Sequence, residues 1–388
     1  MNHSFPLATS SWDDAEYAAI QRVIDSDRFT MGPEVKAFEV QFAEHFGVRY
    51  AVMVNSGSSA NLAMIAALFF TGDESRRLKR GDEIIVPAVS WSTTYAPLAQ
   101  YGLHLKFVDI DIDTLNYDLD ALESAVSDST RAIMAVNLLG NSNDFSRIDA
   151  IIGDRDIAVL EDNCESMGAS LGGRMAGTFG LMGTFSTFFS HHISTMEGGV
   201  VVTDDEELYQ LLLSLRAHGW TRDLPQESLI AAPSTGDPMV ESFRFILPGY
   251  NLRPLEMSGA IGQEQIRKLP ALIEGRRANA AMFQDKLGDH TAIRIQQETG
   301  SSSWFGFSLI LREGVEMTRQ DLARKLTALG FETRPIVSGN FVAKEVIRHF
   351  DHSVHEGVPN AEHLDANGLF IGNHHYPMHD ALAALGSI

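Results

Sequence analysis

The sequence predicts an α/β protein: a large domain built on a mostly parallel sheet with helices on both faces, followed by a smaller C-terminal α+β domain. Short, almost continuously apolar runs alternate with helical stretches along most of the chain, and this alternation is typical of a parallel sheet buried on both faces. The length of 388 residues and the hydrophobic content of 44% are sufficient for two cores. We therefore expect an N-terminal segment over residues 1–30, a large domain over 31–265 and a small domain over 266–388.

The individual elements follow from local patterns. Capping residues at positions 11–14 open a first helix, and a serine-rich turn opens an apolar helix over residues 55–70. Apolar, β-rich runs predict strands at residues 82–90, 106–111, 131–140, 157–166, 199–205 and 304–311. Further helices are expected over residues 206–219 and 318–330, and a long helix from residues 253–269 onward is expected to carry the chain into the second domain. Residues 220–250 contain four prolines and predict a long surface excursion.

The composition restricts the partners. The net charge of −21 repels nucleic acid and anionic membranes, so a phosphate-bearing ligand must be held by a local group of arginines. The single cysteine, Cys164, cannot form an internal disulfide and cannot by itself hold zinc or an iron–sulfur cluster. No segment offers roughly 18 uninterrupted apolar residues, and the N-terminus lacks a signal-peptide pattern. We expect a cytoplasmic protein with a small-molecule partner and no metal, membrane or nucleic-acid site.

Two motifs next to predicted elements are candidate binding sites. The motif SGSSAN, residues 56–61, precedes a helix, and the free amides of a helix N-terminus favour an anion such as phosphate. In LEDNCES, Asp162 and Glu165 follow an apolar strand, where open α/β sheets bind ligands. A carboxylate there could hold a proton on a heterocyclic nitrogen. Each motif has a plain alternative: an ordinary capped helix for the first, and a helix-capping aspartate for the second.

Two further motifs offer flat or charged contacts. In SWSTTYAP, Trp91 follows a strand, and its indole could stack on a planar ring, although a tryptophan at a strand end more often packs in a core. In PGYNLRPLEMSG, Asn251 and Arg253 lie in a polar turn before a helix, and arginine suits a carboxylate or phosphate. The alternative for that turn is a solvated helix start.

The loop FSTFFSHHISTMEGGVV, residues 185–201, combines several functional residue types. Ser186 lies five residues before His191, and Gly198 lies seven after it, so a phosphate contact, a base and a flexible turn would come from one segment. Histidine titrates near neutrality and suits proton transfer, whereas adjacent histidines on a strand point to opposite sides and make a poor metal pair. A purely structural histidine pair is the alternative.

In order and spacing, these motifs resemble the DegT/DnrJ/EryC1/StrS family of sugar aminotransferases, vitamin B6 enzymes with the aspartate aminotransferase-like fold type I. The resemblance covers nearly the whole chain and implies that the large domain binds the cofactor. It assigns Gly57, Ser58 and Ser186 to the cofactor phosphate, Trp91 to the face of the pyridine ring, Asp162 to the ring nitrogen and Glu165 to a position near the ring. Asn251 and Arg253 would reach the shared site across the interface of a homodimer.

One departure from the family pattern concerns the lysine that normally holds the cofactor. The resemblance places His191 at that position, and no lysine lies between Lys106 and Lys268. Histidine can move protons but cannot form the covalent link that a lysine forms. We therefore expect pyridoxal or pyridoxamine 5′-phosphate bound without a covalent bond, with the amine form as the working state and His191 as the catalytic base.

Histidine at this position marks sugar lyases within the family, and SHHISTMEGG, RAHGWTR and PGYNLRPLEMSGAIG resemble the kind that needs no iron–sulfur cluster. This resemblance implies a GDP-linked 4-keto-6-deoxy sugar that loses its C3 hydroxyl, ammonia as a product, L-glutamate as the amino donor and a place in colitose formation. His218 and Arg222 would lie near the sugar or the glutamate, or else belong to an ordinary polar loop. The rival hypotheses are a nucleotide-sugar aminotransferase and a non-catalytic relative that acts as a sensor or partner subunit.

Overall fold

The computed structural model describes residues 5–388. Its strands are β1 (Tyr50–Val54), β2 (Glu83–Pro87), β3 (His104–Val108), β4 (Thr130–Val136), β5 (Ala158–Asp162), β6 (Ser170–Leu171), β7 (Arg174–Met175), β8 (Met182–Ser186), β9 (Gly199–Thr203), β10 (Ile293–Arg294), β11 (Gly306–Leu311), β12 (Thr333–Arg334), β13 (His352–Val354) and β14 (Gly368–Gly372). Its α-helices are α1 (Asp14–Ser26), α2 (Pro33–Phe46), α3 (Gly57–Phe70), α4 (Ser92–Gln100), α5 (Leu119–Ala125), α6 (Phe145–Ile152), α7 (Glu206–Arg216), α8 (Pro238–Glu241), α9 (Glu256–Leu287), α10 (Arg319–Ala328), α11 (Pro359–Asn367) and α12 (His379–Leu385).

The large sheet has eight strands in the order β1-β9-β8-β5-β4-β2-β3-β13. From β8 to β13 every pair of neighbours is parallel, whereas β9 is antiparallel to both β1 and β8. The expectation of a mostly parallel sheet is therefore confirmed. The edge strand β13 comes from the C-terminal part of the chain and pairs with residues 105–107 of β3. This strand could not be predicted from the sequence, because three residues of mixed polarity form no apolar run.

The side chains of β1 show how the sheet divides the core of the large domain into two layers. Val52 and Val54 belong to the core on the face covered by α3 and α7, whereas Ala51 and Met53 belong to the core under α2 and α9. This alternation follows the two-residue period of a strand. Burial on both faces explains why the strands of this sheet read as continuous apolar runs.

The smaller sheet has four antiparallel strands in the order β10-β11-β14-β12. Its core contains Phe307 and Leu309 of β11 together with Phe283 and Leu287 of α9. Earlier along the same helix, Ile266 packs in the core of the large domain, so α9 runs across the expected boundary after residue 265. The domain boundaries thus stay predictions. Among residues 5–388, no helix is both long and apolar enough to cross a membrane.

Candidate functional site

A cavity of about 290 Å³ opens at the carboxyl ends of β4, β5 and β8, between the first turn of α3 and the loop that follows β12. Of the sequence-predicted residues, it is lined by Gly57, Ser58, Trp91, Asp162, Glu165, Ser186 and His191. It is also lined by residues that sequence analysis did not single out, among them Asn61, Thr93, Phe305, Arg334 and Val337. The carboxyl ends of parallel strands are where sheets of this kind bind ligands.

The first turn of α3 forms a site suited to an anion. Ser56 caps the helix by accepting a backbone hydrogen bond over 3.1 Å. A Cβ on Gly57 would lie 2.7 Å from the Cβ of Ser186, so only glycine lets α3 approach the end of β8 this closely. Ser58 Oγ lies 2.8 Å from Thr93 Oγ1 on the same side. Helix amides with hydroxyls beside them suit a phosphate group.

Asp162 ends β5 and is 5% exposed. Its Oδ2 accepts hydrogen bonds from Asn61 Nδ2 over 2.9 Å and Thr94 Oγ1 over 2.7 Å, and its Oδ1 accepts one from Cys164 N over 3.2 Å. These donors fix the direction of the carboxylate, which is what pairing with a protonated ring nitrogen requires. The sequence alone does not link Asn61 and Thr94 to Asp162, because they lie 101 and 68 residues from it, although both belong to candidate binding motifs.

The loop after β8 folds back on itself and presents a histidine to the cavity. Thr187 N donates to Gly198 O over 2.9 Å, which closes the loop at its base. His191 lines the cavity. His192 is 1% exposed, and its Nε2 lies 3.3 Å from Ser303 O. The two adjacent histidines therefore have different surroundings, and only the first is placed to meet a ligand.

The His191 ring lies between aromatic surfaces and is uncharged. Its centroid is 5.2 Å from that of Phe305 and 6.0 Å from that of Phe188. Burial, and then the positive charges of Arg334 and Arg276, lower the pKa of His191 to about 3, so the imidazole is neutral at pH 7 and can accept a proton. Nδ1 is buried and has no hydrogen-bond partner within residues 5–388, which leaves Nε2 as the nitrogen accessible from the cavity.

Glu165 and Arg334 add charged groups to the same cavity. Burial raises the pKa of Glu165 to about 7, although the positive charge of Arg334 opposes the rise. Leu139 N donates to Glu165 Oε2 over 3.3 Å. A carboxyl group with such a pKa can exchange protons near neutral pH. Arg334 belongs to the small sheet, and no sequence motif pointed to it because its neighbours in the cavity come from distant parts of the chain.

Trp91 immediately precedes α4 and is 57% exposed. It is therefore not packed in a core, which was the alternative for a tryptophan at the end of a strand. Its side chain lines the cavity, so an indole face is available to a planar ligand ring. Stacking on a cofactor ring stays a prediction, with a placement that suits it.

The other sequence-predicted residues, Asn251, Arg253, His218 and Arg222, gather around Trp220 and do not line the cavity of the single chain as described. The guanidinium carbons of Arg222 and Arg253 lie 4.0 and 5.9 Å from the Trp220 ring centroid. The His218 ring meets the same indole edge-on at 4.7 Å, and Arg253 Nε donates to Asn251 Oδ1 over 3.0 Å. The four residues thus form a second cluster, and their roles stay predictions.

Known proteins are similar to this chain over nearly its whole length. The model of the DegT/DnrJ/EryC1/StrS aminotransferase family matches residues 10–383. Two curated relatives, from Escherichia coli O55:H7 and Yersinia pseudotuberculosis, are each 60% identical over 386 residues. These matches cover 99% of this chain and 99% and 98% of the relatives, and both relatives are named GDP-4-keto-6-deoxy-D-mannose 3-dehydratase.

Solved structures of an enzyme with that name have the same fold. The E. coli enzyme with bound hydrated pyridoxal phosphate matches with a TM-score of 0.98 and covers 100% of this chain and 99% of that chain. A structure with a trapped pyridoxal phosphate–glutamate geminal diamine, and one of a histidine-to-asparagine mutant with bound GDP-perosamine, each match with a TM-score of 0.97 over 99% of both chains. All three are 60% identical to this chain. The expected fold type is confirmed, and the chain belongs to the DegT/DnrJ/EryC1/StrS aminotransferase family.

Proposed function

We propose that this chain removes the C3 hydroxyl from GDP-4-keto-6-deoxy-D-mannose, giving GDP-4-keto-3,6-dideoxymannose and ammonia in a step of colitose formation. Pyridoxamine 5′-phosphate is the working cofactor, and L-glutamate restores it. The observation that carries the proposal is His191 at the cavity loop of a chain that is 60% identical, over 99% of its length, to two dehydratases of this substrate. Structures of an enzyme with the same name contain pyridoxal phosphate, its adduct with glutamate and a GDP-linked sugar.

The cavity residues fit a B6 cofactor that is not covalently attached. The first turn of α3 and Ser186 would hold the phosphate, Asp162 the ring nitrogen and Trp91 one face of the ring. The close approach of Gly57 to Ser186, where a Cβ has no room, supports this fit, and none of the lining residues is a lysine. When bound, the cofactor supplies an amine that condenses with the sugar ketone and a ring that accepts electrons.

His191 is the group that moves protons in this proposal. Its neutral Nε2 takes a proton from the cofactor carbon next to the amine. The protonated imidazole of His191 then gives a proton to the departing C3 hydroxyl. The hydroxyl therefore leaves as water, a better leaving group than hydroxide. Because burial lowers the pKa of His191 to about 3, the imidazole is neutral before the transfer, and once protonated it is a strong acid toward the departing hydroxyl.

We further infer a homodimer in which Asn251 and Arg253 of one protomer serve the site of the other. Both residues lie outside the cavity of their own chain, and the segment around them exposes large apolar side chains. Met239, Phe243 and Leu255 are 82%, 68% and 61% exposed, and exposed apolar groups in one region often mark a protein interface. A two-fold dimer would cover them on both chains at once.

A nucleotide-linked sugar as substrate agrees with the expected cytoplasmic location.

The reaction is tested by incubating the protein with pyridoxamine phosphate, glutamate and GDP-4-keto-6-deoxymannose. We expect ammonia and 2-oxoglutarate to appear in equal amounts together with a 3-deoxy sugar. A stable sugar amine without ammonia would instead identify an aminotransferase. Failure of the purified protein to bind pyridoxamine phosphate would favour a non-catalytic sensor or partner subunit.

The shared site is tested by mixing two inactive variants, His191→Asn and Asn251→Ala. If Asn251 acts in the partner's site, a hybrid dimer contains one site with both defects and one with neither, so mixing after dissociation should restore part of the activity. Light scattering of the wild type should give the mass of a dimer. A monomeric mass, or no recovery of activity in verified hybrids, would contradict the shared site.

A further inference from the structure

The imidazole of His191 has no hydrogen bond at Nδ1 to orient it. This nitrogen is buried without a partner within residues 5–388. Catalytic histidines are ordinarily held in place by a hydrogen bond at the ring nitrogen that does not react. The torsion of an imidazole about its Cβ–Cγ bond has only broad preferences of its own, and rotation about this bond would swing Nε2 away from the cavity. Another contact must therefore fix the ring.

Phe305 supplies the buried contact to this imidazole. The Phe305 side chain is 5% exposed, and its ring centroid lies 5.2 Å from that of His191 with 53° between the two planes. Phe188 meets the imidazole edge-on at 6.0 Å but is 40% exposed. Aromatic pairs have preferred geometries, and a packed interior restricts the rotation of a ring. Phe305 is thus the buried wall against which the His191 ring rests.

His192 contacts the same phenyl ring and joins it to the histidine loop. Its ring centroid lies 5.6 Å from that of Phe305, with 47° between the planes. His192 Nε2 lies 3.3 Å from Ser303 O, and because a carbonyl oxygen only accepts, the imidazole is the donor. The two adjacent histidines therefore both contact Phe305, and the second is hydrogen-bonded to the backbone two residues before it.

The backbone of Phe305 is held by distant parts of the chain. Phe305 N donates to Leu139 O over 3.1 Å, and Phe305 O accepts a hydrogen bond from Arg276 Nη1 over 2.9 Å. Asn373 Nδ2 donates to Trp304 O over 2.9 Å. Trp304 has a φ of 48°, a conformation that a bulky residue rarely adopts and that persists where the surroundings over-determine it, often at functional sites. The Phe305 ring is therefore presented from a fixed backbone.

We propose that Phe305 is a positioning residue that holds the imidazole of His191 toward the reacting carbon of the cofactor, an inference that rests on the proposed function. A lysine at position 191 would be fixed by its covalent link to the cofactor, and a histidine lacks that link. Proton transfer requires the base to be within hydrogen-bond reach of the carbon, so the contact with Phe305 takes over the orienting role. The same carbon gains a proton when glutamate restores the amine. Phe305 should therefore affect both halves of the reaction.

The test follows both halves of the reaction in the holoenzyme. Ammonia release from the GDP-keto sugar is measured in a single turnover of the amine-loaded enzyme, and conversion of the aldehyde form by glutamate is followed by absorbance. Calorimetry measures the affinity for pyridoxamine phosphate. The variants are Phe305→Leu, Phe305→Met, which fills the space without a flat ring, and Phe305→Leu combined with His191→Asn. The control is Phe145→Leu, at a side chain that is 1% exposed and lies outside the cavity.

For Phe305→Leu and Phe305→Met, we expect both halves to slow about 100-fold, as the misplacement of a catalytic group implies. The affinity for pyridoxamine phosphate and the KM for the sugar should stay within about two-fold of the wild type. In the His191→Asn background, Phe305→Leu should change the remaining rate by less than about two-fold, because the imidazole through which it acts is absent. Phe145→Leu should keep the wild-type rates. A crystal structure of amine-loaded Phe305→Leu should show the His191 imidazole rotated about Cβ–Cγ, or in two orientations, relative to the wild type.

Four results would overturn the inference. Wild-type rates in both Phe305 variants would show that the ring is not needed. A loss confined to one half of the reaction, or to the affinity for pyridoxamine phosphate, would identify a contact with a ligand instead. Equal slowing by Phe305→Leu with and without His191 would show an effect that does not pass through the imidazole. An unchanged imidazole in the crystal structure would contradict the orienting role, and this result stands even if the wild type releases no ammonia and the proposed function is refuted.

Discussion

Replacing Glu165 by glutamine tests the electrostatics of the site. Burial raises the pKa of Glu165 from its ordinary value of 4.5 to about 7. Because the folded-state pKa is raised, the carboxyl group contributes stability that is fully present below pH 4.5 and is lost as the pH rises through 7. At about 1.4 kcal/mol per pH unit, the rise corresponds to about 3 kcal/mol. Water in the cavity screens part of the charge of Glu165, so this free energy is an upper limit.

The glutamine variant keeps an acceptor for Leu139 N but cannot ionise. Between about pH 5 and pH 8, its free energy of unfolding should therefore rise by about 1–3 kcal/mol relative to the wild type. Urea unfolding of the apoenzyme at one protein concentration measures this difference, with Glu313→Gln at an exposed position as the control. Burial also raises the pKa of Glu161, to about 6, so the infrared test is the difference spectrum of wild type minus Glu165→Gln, which should show a protonated-carboxyl band that titrates near pH 7. Parallel stability curves for the two proteins would refute the reasoning.

Three further changes have definite outcomes. His191→Lys should attach the cofactor covalently, seen as a shift in visible absorbance, and lose dehydration, whereas a colourless and active variant would contradict the role given to that position. Glu39 and Arg216 form an ion pair in which both side chains are 3% exposed. Glu39→Ala leaves Arg216 buried without a counter-charge, so it should lower the free energy of unfolding in chemical denaturation by about 3–5 kcal/mol. A loss below about 1 kcal/mol would argue against a buried pair. The pKa of His374 is lowered by burial to about 4, so its contribution to stability is present above pH 6.5 and is lost as the pH falls through 4. His374→Asn should accordingly lose less stability than the wild type in acid, and identical acid-unfolding profiles would refute this.

Much of the fold could be predicted from local patterns because the central strands are buried on both faces. Continuous apolar runs located β2, β3, β4 and β5. The long helix expected from residues 253–269 onward is confirmed, because α9 continues past Pro270 to Leu287 and its later turns pack in the second core. The edge strand β13 could not be found in this way, because it depends on pairing with a strand far away in the chain.

In the candidate site, too, residues within short motifs could be predicted, whereas their partners from distant parts of the chain could not. Asp162, Ser186 and His191 could be predicted because each lies in a short motif with a recognisable chemistry. The groups that act on these residues come from distant parts of the chain: Asn61 orients Asp162, and burial, followed by the positive charge of Arg334, lowers the pKa of His191. Such contacts join distant segments, so they are visible only when the chain is folded. The cluster around Trp220 likewise lies outside the cavity of one chain, and its role depends on a second protomer.

The most direct test of His191 as the proton-moving group follows a label on the cofactor. Pyridoxamine phosphate carrying deuterium on the carbon next to its amine is bound to the wild type and to His191→Asn, and each is mixed with GDP-4-keto-6-deoxymannose for a single turnover. The wild type should release deuterium to water together with ammonia. The variant should keep the cofactor bound and retain the label, with release slowed by about 10²- to 10⁴-fold. Release of the label at the wild-type rate from cofactor-loaded His191→Asn would contradict the account.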